Sequence, residues 1–112
     1  MRIYKILARR EWEAASDAGV YLGSAVDRAD GFIHFSTAAQ AQETAIRHFR
    51  GQAGLIVLAI EADSLGGELR WEPSRGGEIF PHLYGVLNPA LVRAVFEAPL
   101  DPDGVPLLGP LE

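Results

Sequence analysis

Leu55-Ile56-Val57-Leu58-Ala59-Ile60-Glu61 is the stretch on which the fold reading turns. An unbroken apolar run of this length, preceded by glycine and closed by a charged residue, reads as a strand buried on both faces and therefore central in its sheet. Toward the N-terminus, residues 37–50 read as a helix. Thr37 is its N-cap and Gln40 stands three residues on, as in a capping box, while Ala41, Ala45, His48 and Phe49 recur at helical spacing and Gly51 ends it. Residues 31–35 read as a short buried strand, 24–30 as a polar loop and 20–22 as a short extended piece. Residues 9–18 form a second helix with Trp12, Ala15 and Ala18 on one face and Gly19 as its stop. Residues 2–8 form a strand, apolar on both faces, with Ile3, Lys5 and Leu7 opposite Tyr4 and Ile6. Toward the C-terminus, Gly66-Gly67 marks a turn, 68–72 a strand, 73–77 a loop and 79–85 an extended segment whose Pro81 argues for an edge strand or a bulge. Asn88-Pro89 is a turn or a helix start, and 91–96 a last strand. The alternation of strand and helix stops after the central strand. The expected class is therefore α+β, with a largely antiparallel sheet and two main helices, rather than a doubly wound fold. Residues 1–98 make one domain, and 99–112, with four of the seven prolines, a tail on its surface.

Composition bounds the function. A chain of 112 residues, 48% hydrophobic, supports one core. The absence of cysteine excludes disulfides, thiolate metal ligands and a cysteine nucleophile. A net charge of −5 disfavours nucleic acid as a partner, because phosphate contacts need a basic surface. No apolar run approaches the ~20 residues of a membrane span, and the N-terminus lacks a signal-peptide pattern, so a cytoplasmic location is expected.

The chemistry-bearing residues cluster in two histidine-centred segments. In Gly31-Phe32-Ile33-His34-Phe35-Ser36-Thr37, strand alternation puts Phe32, His34 and Ser36 on one face. The following helix start offers free N–H groups to an anion. Read locally, His34 is either an acid–base or ligand-binding group or a core histidine bonded to backbone. In Phe80-Pro81-His82-Leu83-Tyr84-Gly85, Phe80, His82 and Tyr84 share a face, suited to stacking on a flat ring or simply to an aromatic cluster. His48, near a helix C-terminus, reads as structural. Between the two segments, Arg70-Trp71-Glu72-Pro73-Ser74-Arg75-Gly76-Gly77-Glu78 brings charge, an aromatic and a flexible loop together. Arg75 before two glycines could hold a phosphate. Glu72 could act as a base, accept from a ribose hydroxyl, or pair with Arg70. Asp30 could cap the turn at Gly31. Two histidines and a carboxylate can bind zinc, but no HExxH-like helical spacing occurs, so no metal is expected.

Three motifs in order, residues 30–37 with Gln40, Leu69-Arg70-Trp71-Glu72, and residues 80–85, resemble the signature of the domain-of-unknown-function family 952. That family in turn resembles the ADP-ribosyltransferase-like superfamily, most closely the branch with the NAD-dependent RNA 2′-phosphotransferases. The resemblance implies a compact split antiparallel sheet around a cleft that holds NAD. It implies that Lys5 stands where relatives carry a ribose-holding histidine, that His34 matches a second histidine, and that Glu72 is the candidate for the catalytic glutamate.

The expectation is thus a pocket of Lys5, His34, Ser36, His82 and Tyr84 that binds NAD, ADP-ribose or a related phosphorylated nucleotide. Thr37 or Arg75 would hold phosphate, and His34 and Glu72 would carry ADP-ribosyl or phosphate-transfer chemistry. A charged lysine donates hydrogen bonds but accepts none, so Lys5 does not reproduce a neutral imidazole. The alternative is a non-catalytic binding or interaction module. The oligomeric state is left open.

Overall fold

The computed structural model describes residues 1–111, Arg75 by its backbone alone. The central apolar run forms β3 (Leu55–Glu61), buried from Leu55 to Ile60. Antiparallel neighbours flank it on both sides: β1 (Arg2–Ala8) and β6 (Val92–Ala98), in the order β1-β3-β6. The register sets Lys5 beside Leu58, and Leu58 beside Val95. One face of β3 sends Ile56, Leu58 and Ile60 into a core with Ile3, Leu7, Ile33, Phe35 and Leu83. The other sends Leu55, Val57 and Ala59 into a core with Tyr4, Ile6, Ala41 and Ala45. Two-sided apolarity in the sequence is therefore two separate cores in the molecule, one on each side of a single sheet.

α1 (Arg9–Ala18) leans Trp12 on the first core and ends at Gly19, whose φ of 77° suits a residue without a side chain. α3 (Ala38–His48) covers the second core. Thr37 caps it, and Gln40 returns to accept the Thr37 N–H at 3.1 Å, as the spacing predicts. The proline-rich C-terminal segment folds on itself through a Leu100–Pro106 bridge and buries Leu108 in this same core.

Two expectations are corrected. The polar stretch before Gly31 is no loop but a short helix, α2 (Ala25–Asp30). Ser24 and Asp27 satisfy each other's backbone N–H groups, at 3.2 and 2.9 Å, in a reciprocal cap, and Gly31 closes the helix with φ 89°. Six residues carry too little apolar periodicity to announce a helix; in the sequence only the capping spacing marks it. Second, the proline-bearing segment is not an edge. β5 (Ile79–Leu83) is the middle strand of a second antiparallel sheet, between β2 (Ile33–His34) and β4 (Leu69–Pro73). Pro81 is tolerated there because its carbonyl, and hence its nitrogen, faces the β2 side. There it accepts from Phe35 N–H at 3.1 Å just as the two-residue β2 ladder ends. The ladder to β4, in which Pro81 stands opposite Trp71, loses no donor.

Among the described residues the backbones of the two sheets are linked at one pair, where Tyr4 of β1 and Ser36 exchange hydrogen bonds of 2.8 and 2.9 Å. The result is a mixed α+β molecule with a divided antiparallel sheet. Among the described residues no helix is long and apolar enough to cross a membrane. Because Leu58 is wholly buried at the centre of this arrangement, Leu58→Ala is expected to cost about 2–5 kcal/mol. A urea unfolding curve measures this, and an unchanged midpoint would contradict the central placement.

Candidate functional site

The site is built on the β2-β5-β4 sheet. His34 stands directly opposite His82, and His82 opposite Arg70. Since Phe35 N–H bonds to Pro81, the neighbouring His34–His82 pair is one that exchanges no backbone bonds, the kind in which antiparallel side chains approach most closely. Their ring centroids lie 5.7 Å apart. Alternation adds Phe32, Glu72 and Tyr84 to the same face. Phe32 stacks on His82 at 4.0 Å and tilts against His34 at 4.6 Å and Tyr84 at 5.2 Å.

The backbone N–H of His34 points away from β5, and what it meets is Asp27 of α2, 3.1 Å away. The same carboxylate oxygen lies 2.6 Å from His34 Nδ1 and accepts from Lys5 Nζ at 3.0 Å. The second oxygen is 2.8 Å from Lys5 Nζ and accepts from the Ser24 N–H at 2.9 Å. Asp27 is almost wholly buried, as is Lys5. Gly23 makes the close approach feasible: its φ is 102°, and a Cβ there would stand 2.8 Å from the Asp27 Cβ. Burial by itself pushes the Asp27 carboxyl up. The hydrogen bond from His34, then the charge and hydrogen bond of Lys5 and the Ser24 N–H, outweigh it and hold the group well below the usual carboxylate range. Burial lowers Lys5 from its ordinary value, opposed by Asp27 and by Glu11.

His34 has a carboxylate at each ring nitrogen, for its Nε2 lies 2.9 Å from Asp30 Oδ2. Only an imidazolium can donate to both. His82 has one: its Nδ1 is 2.8 Å from Glu72 Oε1, and the Tyr84 hydroxyl donates to that same oxygen at 2.7 Å. These two hydrogen bonds, from His82 first, keep Glu72 below its ordinary value, while the bond to Glu72 raises Tyr84. Arg70 lies over the Tyr84 ring at 4.8 Å. With an ionised Glu72 accepting at Nδ1, a neutral His82 carries its free lone pair on Nε2, the arrangement that orients a general base.

His34, Glu72, His82 and Tyr84 thus stand together, joined by Phe32, Asp30 and Arg70. The other expected positions are engaged elsewhere. Lys5 is below His34 in the ion pair with Asp27. Ser36 is buried, its hydroxyl 3.0 Å from that of Thr44. Thr37 is bound up in the cap of α3. The side chain of Arg75 lies outside the described residues. Asp27 was the missed residue; its one sequence signal is the Ser24-x-x-Asp27 capping spacing. Two surface hollows, of about 410 Å³ beside Trp71 and Asp63 and about 370 Å³ beside Phe96 and Leu111, are not lined by this cluster. Among the described residues, no group of three or more histidine, aspartate or glutamate side chains is placed to hold a metal ion.

Removing the carboxylate strands a buried lysine, so Asp27→Ala is expected to cost about 3–5 kcal/mol. The milder Asp27→Asn tests the charge. A native value held below the unfolded one stabilises the protein fully above the ordinary carboxylate range, about pH 4, and this contribution fades as pH falls toward the native value. The urea-midpoint gap between the wild type and Asp27→Asn should therefore be wider at neutral pH than in acid. A gap independent of pH would refute the ionised pair.

Comparison with known proteins agrees with this architecture. The crystal structure of protein CC0527 from Caulobacter crescentus is 57% identical, with a TM-score of 0.92 over 95% of this chain and 93% of that one. Its solution NMR structure is 58% identical, with a TM-score of 0.85 over 94% and 90%. No curated protein matches the chain. A family model described as protein of unknown function, DUF952, matches residues 6–95, and the chain belongs to that family.

Proposed function

We propose that the face shared by His34, His82, Glu72 and Tyr84 binds a nucleotide-like small molecule, with NAD and ADP-ribose as the specific candidates. One observation carries this reading: two histidines meet across a ladder, each anchored at Nδ1 by a carboxylate, with aromatic rings and an arginine around them. The carboxylates of Asp30 and Glu72 are acceptors suited to ribose hydroxyls. The half-buried Phe32 and the partly exposed Tyr84 offer ring surface to a base, and Arg70 takes the phosphate role expected of Thr37 or Arg75. If the bound molecule is NAD, the chemistry that suits these groups is cleavage between nicotinamide and ribose. The departing base takes the bonding pair, and a carboxylate stabilises the positive charge developing on the sugar. His82 Nε2 would then take the proton of the attacking hydroxyl or water.

The second reading, a binding module without chemistry, is favoured by the engagement of Lys5, Ser36 and Thr37 in the framework. Calorimetric titration with NAD and ADP-ribose should give heat, accompanied by a rise in melting temperature. Glu72→Gln should weaken binding at least tenfold, about 1.4 kcal/mol. No heat and no melting shift with either compound would sink the proposal. His34→Ala then separates the readings: turnover lost with the fold intact marks an enzyme, and binding lost with no turnover in the wild type marks a module.

A further inference from the structure

Joined at Tyr4 and Ser36, the two sheets leave two outer edges, β4 and β6. β4 is five residues long and ends in Pro73, a short edge closed by a residue that cannot donate. β6 is seven residues long and contains no proline. Val95 and Phe96 are exposed on it by 45% and 36%. Among the described residues, no backbone hydrogen bond joins residues 93–97 to anything but β3. The bulge opposite Ala59 and Ile60 falls at the Val92 end, leaving the ladder regular from Ala94 to Ala98.

We propose that β6 pairs antiparallel with β6 of a second copy of this chain, about a two-fold axis at Val95. The sequence Arg93-Ala94-Val95-Phe96-Glu97 is self-complementary in that one register. Val95 meets its counterpart. Arg93 of each copy stands opposite Glu97 of the other, a favourable cross-strand pair, and the large Phe96 stands opposite the small Ala94. Moving the axis by one residue puts Glu97 opposite a hydrophobic residue and leaves Arg93 without a carboxylate. Glu97 is already held by Arg9 of its own chain, so the carboxylate would sit between two guanidinium groups. The hollow beside the strand, lined by Arg2, Tyr4, Ala94, Phe96, Pro110 and Leu111, continues the contact surface: the second copy's Phe96 arrives at its Ala94 wall.

Sedimentation equilibrium of the full chain, from micromolar to near-millimolar concentration, should show a species of twice 12.1 kDa. Arg93→Glu and Glu97→Arg should each weaken association at least tenfold by facing like charges, and the double reversal should restore it. Both positions are exposed, and circular dichroism checks that each variant is folded. If a reversal unfolds the chain, Val95→Lys performs the same test by bringing two ammonium groups together on the axis. A monomer throughout would overturn the proposal. So would a dimer indifferent to the single reversals, or one that the double reversal fails to recover.

Discussion

The Asp27 carboxylate stands where the two sheets part. Beyond the Tyr4–Ser36 contact β1 and β2 diverge, and the His34 N–H, which a continuing ladder would have satisfied, is left facing the gap. A buried unpaired N–H is costly. Asp27 fills the gap from the side, taking that N–H, the His34 ring and the Lys5 ammonium at once. Its own burial is offset by those donors. The pair with Lys5 adds little to stability as a pair, because desolvation cancels much of the attraction. Its effect is positional: it ties β1, α2 and β2 together and fixes the ring of His34.

That placement gives the two histidines unequal surroundings. His34 is gripped at both nitrogens, from below by a buried carboxylate and from outside by the half-exposed Asp30. His82 is gripped at one, with its ring covered by Phe32. Such inequality separates roles when two like groups share a site. On the proposed reading, His34 supplies a fixed donor and His82 an acceptor.

Much of this was legible in the sequence, where local pattern and tertiary outcome agree. Residues 55–60 read as a central strand because both of their faces are apolar, and Thr37 with Gln40 read as a cap because the interaction is local. The shared face of His82 and Tyr84 followed from alternation. Asp27 was not legible: its partners Lys5 and His34 come from other elements, and only the fold brings them together. Ser24 to Asp30 reads as a loop for a different reason: six residues carry no apolar periodicity, and only the local Ser24–Asp27 spacing marks the helix. The family resemblance marks Lys5 and strand alternation marks Ser36, but neither tells that each is consumed by a partner inside the framework.

Pro81 sits in the middle strand of its sheet at no cost to the β4 ladder. The register that pairs Ile33 with Leu83 and His34 with His82 would next pair Phe35 with Pro81. One bond of that pair forms, from Phe35 N–H to the Pro81 carbonyl; its mate cannot, for want of a hydrogen on the proline nitrogen. The ladder between β2 and β5 ends at that step, and Ser36, whose backbone groups face the opposite edge, bonds to β1. A single missing hydrogen thus leaves the last rung of the ladder half closed, between the two histidines and the Tyr4–Ser36 contact that joins the sheets.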